Sequence, residues 1–261
     1  MTRTERPLRT PARAEPATPP NPPAAPTASA APAVSTARRV AEVGLALAAL
    51  ALALPVLAAA AALVALTSPG GAVYTQTRVG RGGRPFRIYK LRSMVADSEA
   101  HAGAQWSPGQ GDPRVTPVGR VLRRTHLDEL PQLWNVVRGE MAFVGPRPER
   151  PELLAGLGPL IPGLDDRLAV RPGVTGLAQI QQPADTTAET FRDKLEYDRL
   201  YIRESSASLD VRIAVGTVFY LAGLSYAVVR TLTALPRPAA LPQPADGRGA
   251  AVPAGAAAEV S

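Results

Sequence analysis

The sequence contains no cysteine in 261 residues and only two histidines, His101 and His126. Lysine is as scarce: Lys90 and Lys194 are the only two, so 27 of the 29 basic residues are arginines. Without cysteine there is no disulfide framework, no Cys-based zinc or iron–sulfur site and no thiol nucleophile. Two histidines exclude a multi-His metal centre, so any divalent ion would be a hard one held by carboxylate and phosphate oxygens. No P-loop, Rossmann fingerprint, G-x-S-x-G elbow or H-E-x-x-H motif occurs. The chemistry is left to carboxylates and arginines.

Proline is plentiful but unevenly placed. Of 28 prolines, nine lie in residues 1–37 and five in residues 236–261. Segments so rich in Pro, Ala, Thr and Gly bury too little apolar surface to offset ordering entropy, and both are expected to be disordered tails. One domain remains between them, large enough for a proper core. The formal net charge of +7 would suit nucleic acid, an anionic membrane surface or phosphorylated substrates, and does not choose among them.

An apolar run does choose. Val43–Leu66, VGLALAALALALPVLAAAAALVAL, holds 24 uncharged residues, and a membrane-crossing helix needs roughly 20. Arg38 and Arg39 precede it, which by the positive-inside rule places that end in the cytoplasm. Pro55 falls mid-run, where it removes a helical hydrogen bond and crowds the preceding turn. Hydropathy favours an ordinary span and leaves open a helix that enters one leaflet, bends at Pro55 and returns. A cleaved signal peptide ranks last, because a long Pro-rich tail precedes the run. A second stretch, Ile213–Val229, has 17 uncharged residues with Gly, Thr, Ser and Tyr interspersed. It fits an interfacial helix or a core helix equally.

The soluble part opens with VYTQTRVG, RGG and RPFRIYKLRSM, which predict a β-hairpin around a Gly-rich turn. Arg78, Arg81, Arg84, Arg87, Lys90 and Arg92 crowd it as a solvated basic face or a phosphate site. Downstream, Thr125 is expected to cap a helix with Asp128 and Glu129 in its first turn. Leu127, Leu130, Trp134 and Val137 would form its apolar face, and Gly139 would end it. Two first-turn acids can serve the helix dipole alone. Beside Arg120, Arg123 and Arg124 they can also serve separate roles around one ion or phosphate. In GPRP, Arg147 stands between two prolines that stiffen the backbone, as bidentate phosphate binding requires. Arg171 in RPGVTG repeats the idea. KLEYDRLYI continues as a helix, with Asp198 on a polar side.

Taken in order, VYTQTRVGRGGRPFRIYKLRSM, DPRVTPVGRVLRRTHLDELPQLWNVVRGEMAFVGPRP, VRPGVTGLAQI and KLEYDRLYI resemble the bacterial sugar transferase family. Its members are the monotopic phosphoglycosyl transferases, or polyprenyl-phosphate sugar-1-phosphate transferases. The resemblance covers about residues 38–232. It implies transfer of a sugar phosphate from a UDP-sugar to a polyprenyl (undecaprenyl) phosphate, releasing UMP, as the first membrane step of exopolysaccharide, O-antigen or glycoconjugate synthesis. By the same resemblance Asp128 is the nucleophile of a covalent phosphosugar–aspartate, and Glu129 assists with Mg²⁺ or the acceptor. Asp128 and Glu129 would hold the Mg²⁺. Arg123 would support the dyad, Arg147 would bind donor phosphate, and Lys90, Arg171 and Asp198 would line the site. The implied location is the bacterial inner membrane, with the catalytic domain on the cytoplasmic face and no nucleic acid partner.

The expected fold is therefore α+β and mainly helical. Residues 38–68 would form a re-entrant (or spanning) helix broken at Pro55, where Leu54 replaces the family's usual Ser. Residues 69–235 would form a catalytic domain with a small β-hairpin and interfacial helices, between tails 1–37 and 236–261. The first 37 residues are too few for the four extra helices of larger members, which points to the minimal type. A membrane-tethered, Arg-rich protein that binds anionic lipid or nucleic acid is the alternative. It leaves the Asp128–Glu129 pair beside GPRP unexplained.

Overall fold

The structure is a computed structural model that describes residues 35–96, 98, 112–185 and 187–241. His101 and nearly all of the two tails lie outside the described residues.

The chain enters through helix α1, Thr36–Thr67, capped by the Ser35 side chain, which accepts from the Arg38 N–H. Thirty-two residues make about 48 Å of helix, long and apolar enough to cross a membrane. Pro55 lies inside it, and the helix continues on both sides. Buried and half-buried positions recur at 42, 46, 49, 50, 53, 57, 60, 61 and 64, one stripe at helical spacing. Leu45, Leu52, Leu54, Leu63 and Leu66 point away and are exposed.

Both ends of α1 are held by the rest of the chain. At the start, Arg39 donates to the carbonyls of Val136 (2.8 Å) and Val137 (2.9 Å), and Arg38 pairs with Asp210. Ala46 packs with Phe86, Ile88, Val136 and Met141. At the finish, Arg92 donates to the carbonyls of Ser68, Pro69 and Gly70, and Ala60 and Val64 pack with Leu91 and Leu122. The arginine pair read as a topology signal is thus built into the fold.

The hairpin forms as expected: β1 (Val73–Val79) pairs antiparallel with β2 (Pro85–Leu91), with Val73 opposite Leu91 and Val79 opposite Pro85. Gly82 (φ 66°) and Gly83 (φ 77°) make the turn in left-handed conformations that suit glycine. Arg81 and Arg84 lie exposed in the turn. Alternation along β2 then points Arg87 outward and buries Lys90 on the side of Phe86 and Ile88.

Helix α2 (Pro117–Arg124) follows, capped by Thr116. Thr125 caps no following helix, contrary to expectation. It closes α2 instead, its hydroxyl donating to the Val121 carbonyl at 2.8 Å. His126 then turns the chain in a left-handed conformation (φ 54°), and a 3₁₀ turn, Leu127–Gln132, leads into α3 (Leu133–Arg138). Gly139 ends α3 at φ 83°, as predicted.

Strand β3 (Ala142–Val144) pairs parallel with β4 (Gly173–Thr175), and α4 (Pro151–Leu157) and a 3₁₀ turn at Leu164–Ala169 lie between them. Helices α5 (Ala188–Glu204), α6 (Ala207–Leu221) and α7 (Tyr226–Thr233) complete the main core with Val144, Leu177 and Ile180. The second apolar stretch is therefore two helices joined by a turn at Gly223, φ 87°. Ile213, Gly216, Tyr220 and Val229 face the core while Val211, Val218 and Leu232 are exposed. The core reading holds for one face, and the other exposes apolar side chains. The fold is mainly helical with two small sheets.

Candidate active site

The 3₁₀ turn and α3 bury Asp128, Glu129, Gln132, Leu133, Asn135 and Val136. The predicted apolar face is only partly the inward one. Leu127 and Val137 pack inward, but Trp134 is 46% exposed, and the carboxylates share the interior with Leu133 and Val136. Burying charge is costly unless it is paired, so each partner matters.

Glu129 is paired twice. Lys90 Nζ lies 2.8 Å from its Oε1, and Arg147 Nη2 lies 2.8 Å from the same oxygen. Burial pushes the Glu129 carboxyl up, but Arg147 and Lys90 outweigh it and hold the carboxyl well below the usual range. Two cations share that one carboxylate. The Arg147 guanidinium ends up raised, whereas burial and the neighbouring Arg147 leave the Lys90 ammonium lowered.

Asp128 is the opposite case. It is 1% exposed, and neither carboxylate oxygen has a hydrogen-bond partner among the described residues. Burial first, then the charge of Glu129, push its pKa up from 3.8 to about 6 against the pull of Lys90 and Arg123. Arg123 comes from α2 and is held by Ser93, its Nε donating to the hydroxyl at 2.9 Å. Two adjacent carboxylates driven apart in pKa are fit for separate tasks. Glu129 is a fixed anion that orients two cations. Asp128 is an uncommitted, basic carboxylate.

The GPRP segment is held from below. Arg167 donates to the Arg147 carbonyl at 2.8 Å, and Arg78 to the Pro148 carbonyl at 3.1 Å. Arg167 is paired with Asp198 at 2.9 Å, and Lys194 joins Glu149 (2.6 Å) to Asp185 (2.7 Å). Lys194 and Arg167 both lie over the Phe191 ring. Of the expected site residues, the structure brings Lys90, Arg123 and Arg147 around the dyad. Asp198 sits one layer behind, buried against Arg167. Arg171 joins neither group: it pairs with Glu42 of α1 at 2.8 Å and donates to the Met141 carbonyl at 3.0 Å. Glu42 also holds Arg39 at 2.8 Å, so Arg171 ties the apolar helix to α3 and β3.

A family profile described as bacterial sugar transferase matches residues 33–223. The chain belongs to the bacterial sugar transferase family. It is 46% identical over 158 residues to the UDP-N-acetylgalactosamine-undecaprenyl-phosphate N-acetylgalactosaminephosphotransferase of Aeromonas hydrophila, covering 60% of this chain and 37% of that protein. Against the UDP-glucose:undecaprenyl-phosphate glucose-1-phosphate transferase of Caulobacter vibrioides it is 43% identical over 187 residues, 71% of this chain and 69% of the other. The exopolysaccharide production protein PSS of Rhizobium leguminosarum is 39% identical over 187 residues, 69% of this chain and 92% of the other. The chain thus spans little more than a third of the Aeromonas protein and nearly all of the Rhizobium one.

Within this bacterial sugar transferase, sequence reasoning missed Ser93, Gln132, Glu149, Arg167 and Lys194. Composition held one signal. In a chain where arginine supplies nearly every cation, both lysines are buried and paired to carboxylates. No group of three His, Cys, Asp or Glu able to hold a metal occurs among the described residues. Asp128 has both oxygens available, whereas Glu129 would have to release Lys90 or Arg147. One carboxylate with substrate phosphates is a donor set that suits Mg²⁺.

Proposed function

We propose that the chain transfers a sugar-1-phosphate from a UDP-sugar to a polyprenyl phosphate, giving polyprenyl-diphosphate sugar and UMP. The observation that carries this reading is the uncommitted Asp128 carboxylate beside a Glu129 clamped by Lys90 and Arg147. The names of the similar proteins support the same reaction class. In the first step an Asp128 oxygen attacks the sugar-bearing phosphorus. The Asp–P bond forms as the bond to UMP breaks, and the electron pair leaves on the UMP oxygen. In the second step a phosphate oxygen of the polyprenyl acceptor attacks that phosphorus, and the Asp128 carboxylate is released.

Phosphoryl transfer demands positioning and charge neutralisation more than proton transfer. Lys90, Arg123 and Arg147 supply positive charge on one side of Asp128 while Glu129 keeps two of them fixed. Asp128 and Glu129 would be the residues to hold Mg²⁺, which would supply neutralisation of charge on the phosphates. Purified chain in detergent with Mg²⁺, polyprenyl phosphate and a panel of UDP-sugars should release UMP with at least one sugar. No UMP from any of them would leave the lipid- or nucleic-acid-binding alternative standing. That alternative accounts for the outward Arg81, Arg84 and Arg87, but leaves unexplained a buried Asp128 without a hydrogen-bond partner among the described residues beside a Glu129 paired with Lys90 and Arg147.

The membrane seat follows from α1. A crossing helix separates its ends by about 30 Å of hydrocarbon, yet here one body holds both ends and a stripe between them. The exposed leucines would enter one leaflet and both ends would lie on the cytoplasmic side of a bacterial inner membrane. Single cysteines at Ser35 and Ser68 are expected to react with a membrane-impermeant thiol reagent from the same side. Labelling from opposite sides would establish a span.

A further inference from the structure

The 3₁₀ turn and α3 bury three uncharged or unpaired polar side chains: Asp128 and Gln132 in the turn, and Asn135 in the helix. All three are at most 1% exposed, yet they are satisfied very differently. The Asn135 amide donates to the Arg87 carbonyl (2.7 Å) and to Glu140 Oε2 (2.7 Å), and its oxygen accepts from the Tyr89 N–H (3.2 Å). That saturation makes Asn135 a strut between α3 and β2. Gln132 has no such role. Its amide nitrogen is buried without a hydrogen-bond partner among the described residues, as are both oxygens of Asp128 four positions earlier.

Buried donors are nearly always bonded, because leaving one unmade forfeits its hydration with no return. Here an unmade donor and an unmade anion lie buried in the same 3₁₀ turn. They are complementary to each other, but a bond between them would occupy the Asp128 oxygens and lower their basicity. A third group that offers both an electrophilic phosphorus and anionic oxygens would satisfy the pair together. We propose that Gln132 is a catalytic residue whose amide donates to a non-bridging oxygen of the phosphoryl group as that group passes between UMP and Asp128. This rests on the transfer reaction above. The Asp128 O–P bond forms and the P–O bond to UMP breaks, while Gln132 stays neutral and only its hydrogen bond tightens. A neutral donor adds a hydrogen bond here without adding to the charge that Lys90 and Arg123 already bring to Asp128.

The test uses the full chain in detergent and a UDP-sugar that the wild type turns over, with UMP release measured with and without polyprenyl phosphate. Gln132→Met keeps the length and removes the unmade donor. It should lower kcat on the order of 100-fold, as loss of one preorganised donor does, with donor KM little changed and a melting temperature no lower than wild type. Gln132→Glu keeps the shape, turns the donor into an acceptor facing anionic oxygens, and should lose at least as much. Near-wild-type kcat in either variant overturns the assignment. So does a loss of activity that tracks a fall in melting temperature, which would make Gln132 a second strut. A wild-type chain that releases no UMP refutes the transfer reaction itself, a result distinct from either.

Discussion

Asp128→Asn is expected to abolish turnover and, at pH 8, to make the protein more stable. The carboxylate is buried with neither oxygen bonded among the described residues, and its pKa rises from 3.8 to about 6 through burial and the neighbouring Glu129 charge. An acid whose folded pKa is raised holds its proton more tightly folded than unfolded. Ionising it therefore destabilises the fold progressively as pH climbs from about 4 through about 6, and the full penalty is present above that. At about 1.4 kcal/mol per pKa unit the penalty is on the order of 2–3 kcal/mol. The neutral amide escapes it. In EDTA, so that no divalent ion screens the charge, the variant should melt several degrees above wild type at pH 8. The gap should shrink toward pH 5. As the proposed nucleophile, Asp128 would thereby trade stability for reactivity. Substantial residual UMP release would remove Asp128 as nucleophile, and an unchanged or lower melting temperature would remove the penalty.

The pattern-bearing parts of the fold were legible in the sequence. Two runs with β-branched and aromatic residues around RGG located β1 and β2, and Gly139 located the end of α3, because each signal is local. The dyad helix was misread for a physical reason. Apolar periodicity finds a buried face only where the buried residues are apolar, and here the interior side carries Asp128, Glu129, Gln132 and Asn135. Of the predicted apolar face, Trp134 is exposed, whereas Leu127 and Val137 pack inward beside those polar groups. Thr125 failed as a start signal because a hydroxyl can equally close the preceding turn, as it does toward Val121.

Arg171 and Asp198 show a further limit. Motif context placed both near the dyad, and residue type allowed either a ligand or a strut. Only long-range pairing separates the two roles, and the partners, Glu42 and Arg167, lie far away in sequence. The basic hairpin resolves in the same way. Six cations looked alike in one dimension, whereas the turn exposes Arg81 and Arg84, and alternation along β2 sends Arg87 to solvent and Lys90 inward to Glu129.

Glu129→Gln should have the opposite effect on stability to Asp128→Asn, although the two carboxylates are adjacent. Glu129 neutralises Lys90 and Arg147 at 2.8 Å each, and all three are buried or nearly so. Removing its charge strands two desolvated cations beside one another. Breaking a buried pair from one side costs about 3–5 kcal/mol, so the variant should melt on the order of 10 °C lower for a domain of this size. The pH behaviour differs too. A carboxyl held below its normal range contributes stability that is fully present above about 4.5 and is lost only as pH falls further. The deficit of Glu129→Gln should therefore be flat from pH 6 to 9, where the Asp128→Asn gain has levelled off only above about pH 7. The two sites are also coupled, because the Glu129 charge is the second cause of the raised Asp128 pKa. In the double variant the Asp128→Asn gain should accordingly be smaller than it is alone. Calorimetric melts of the four proteins at pH 8 read all three quantities. A Glu129→Gln protein as stable as wild type, or strictly additive effects, would mean that the charge on Glu129 does not organise this site.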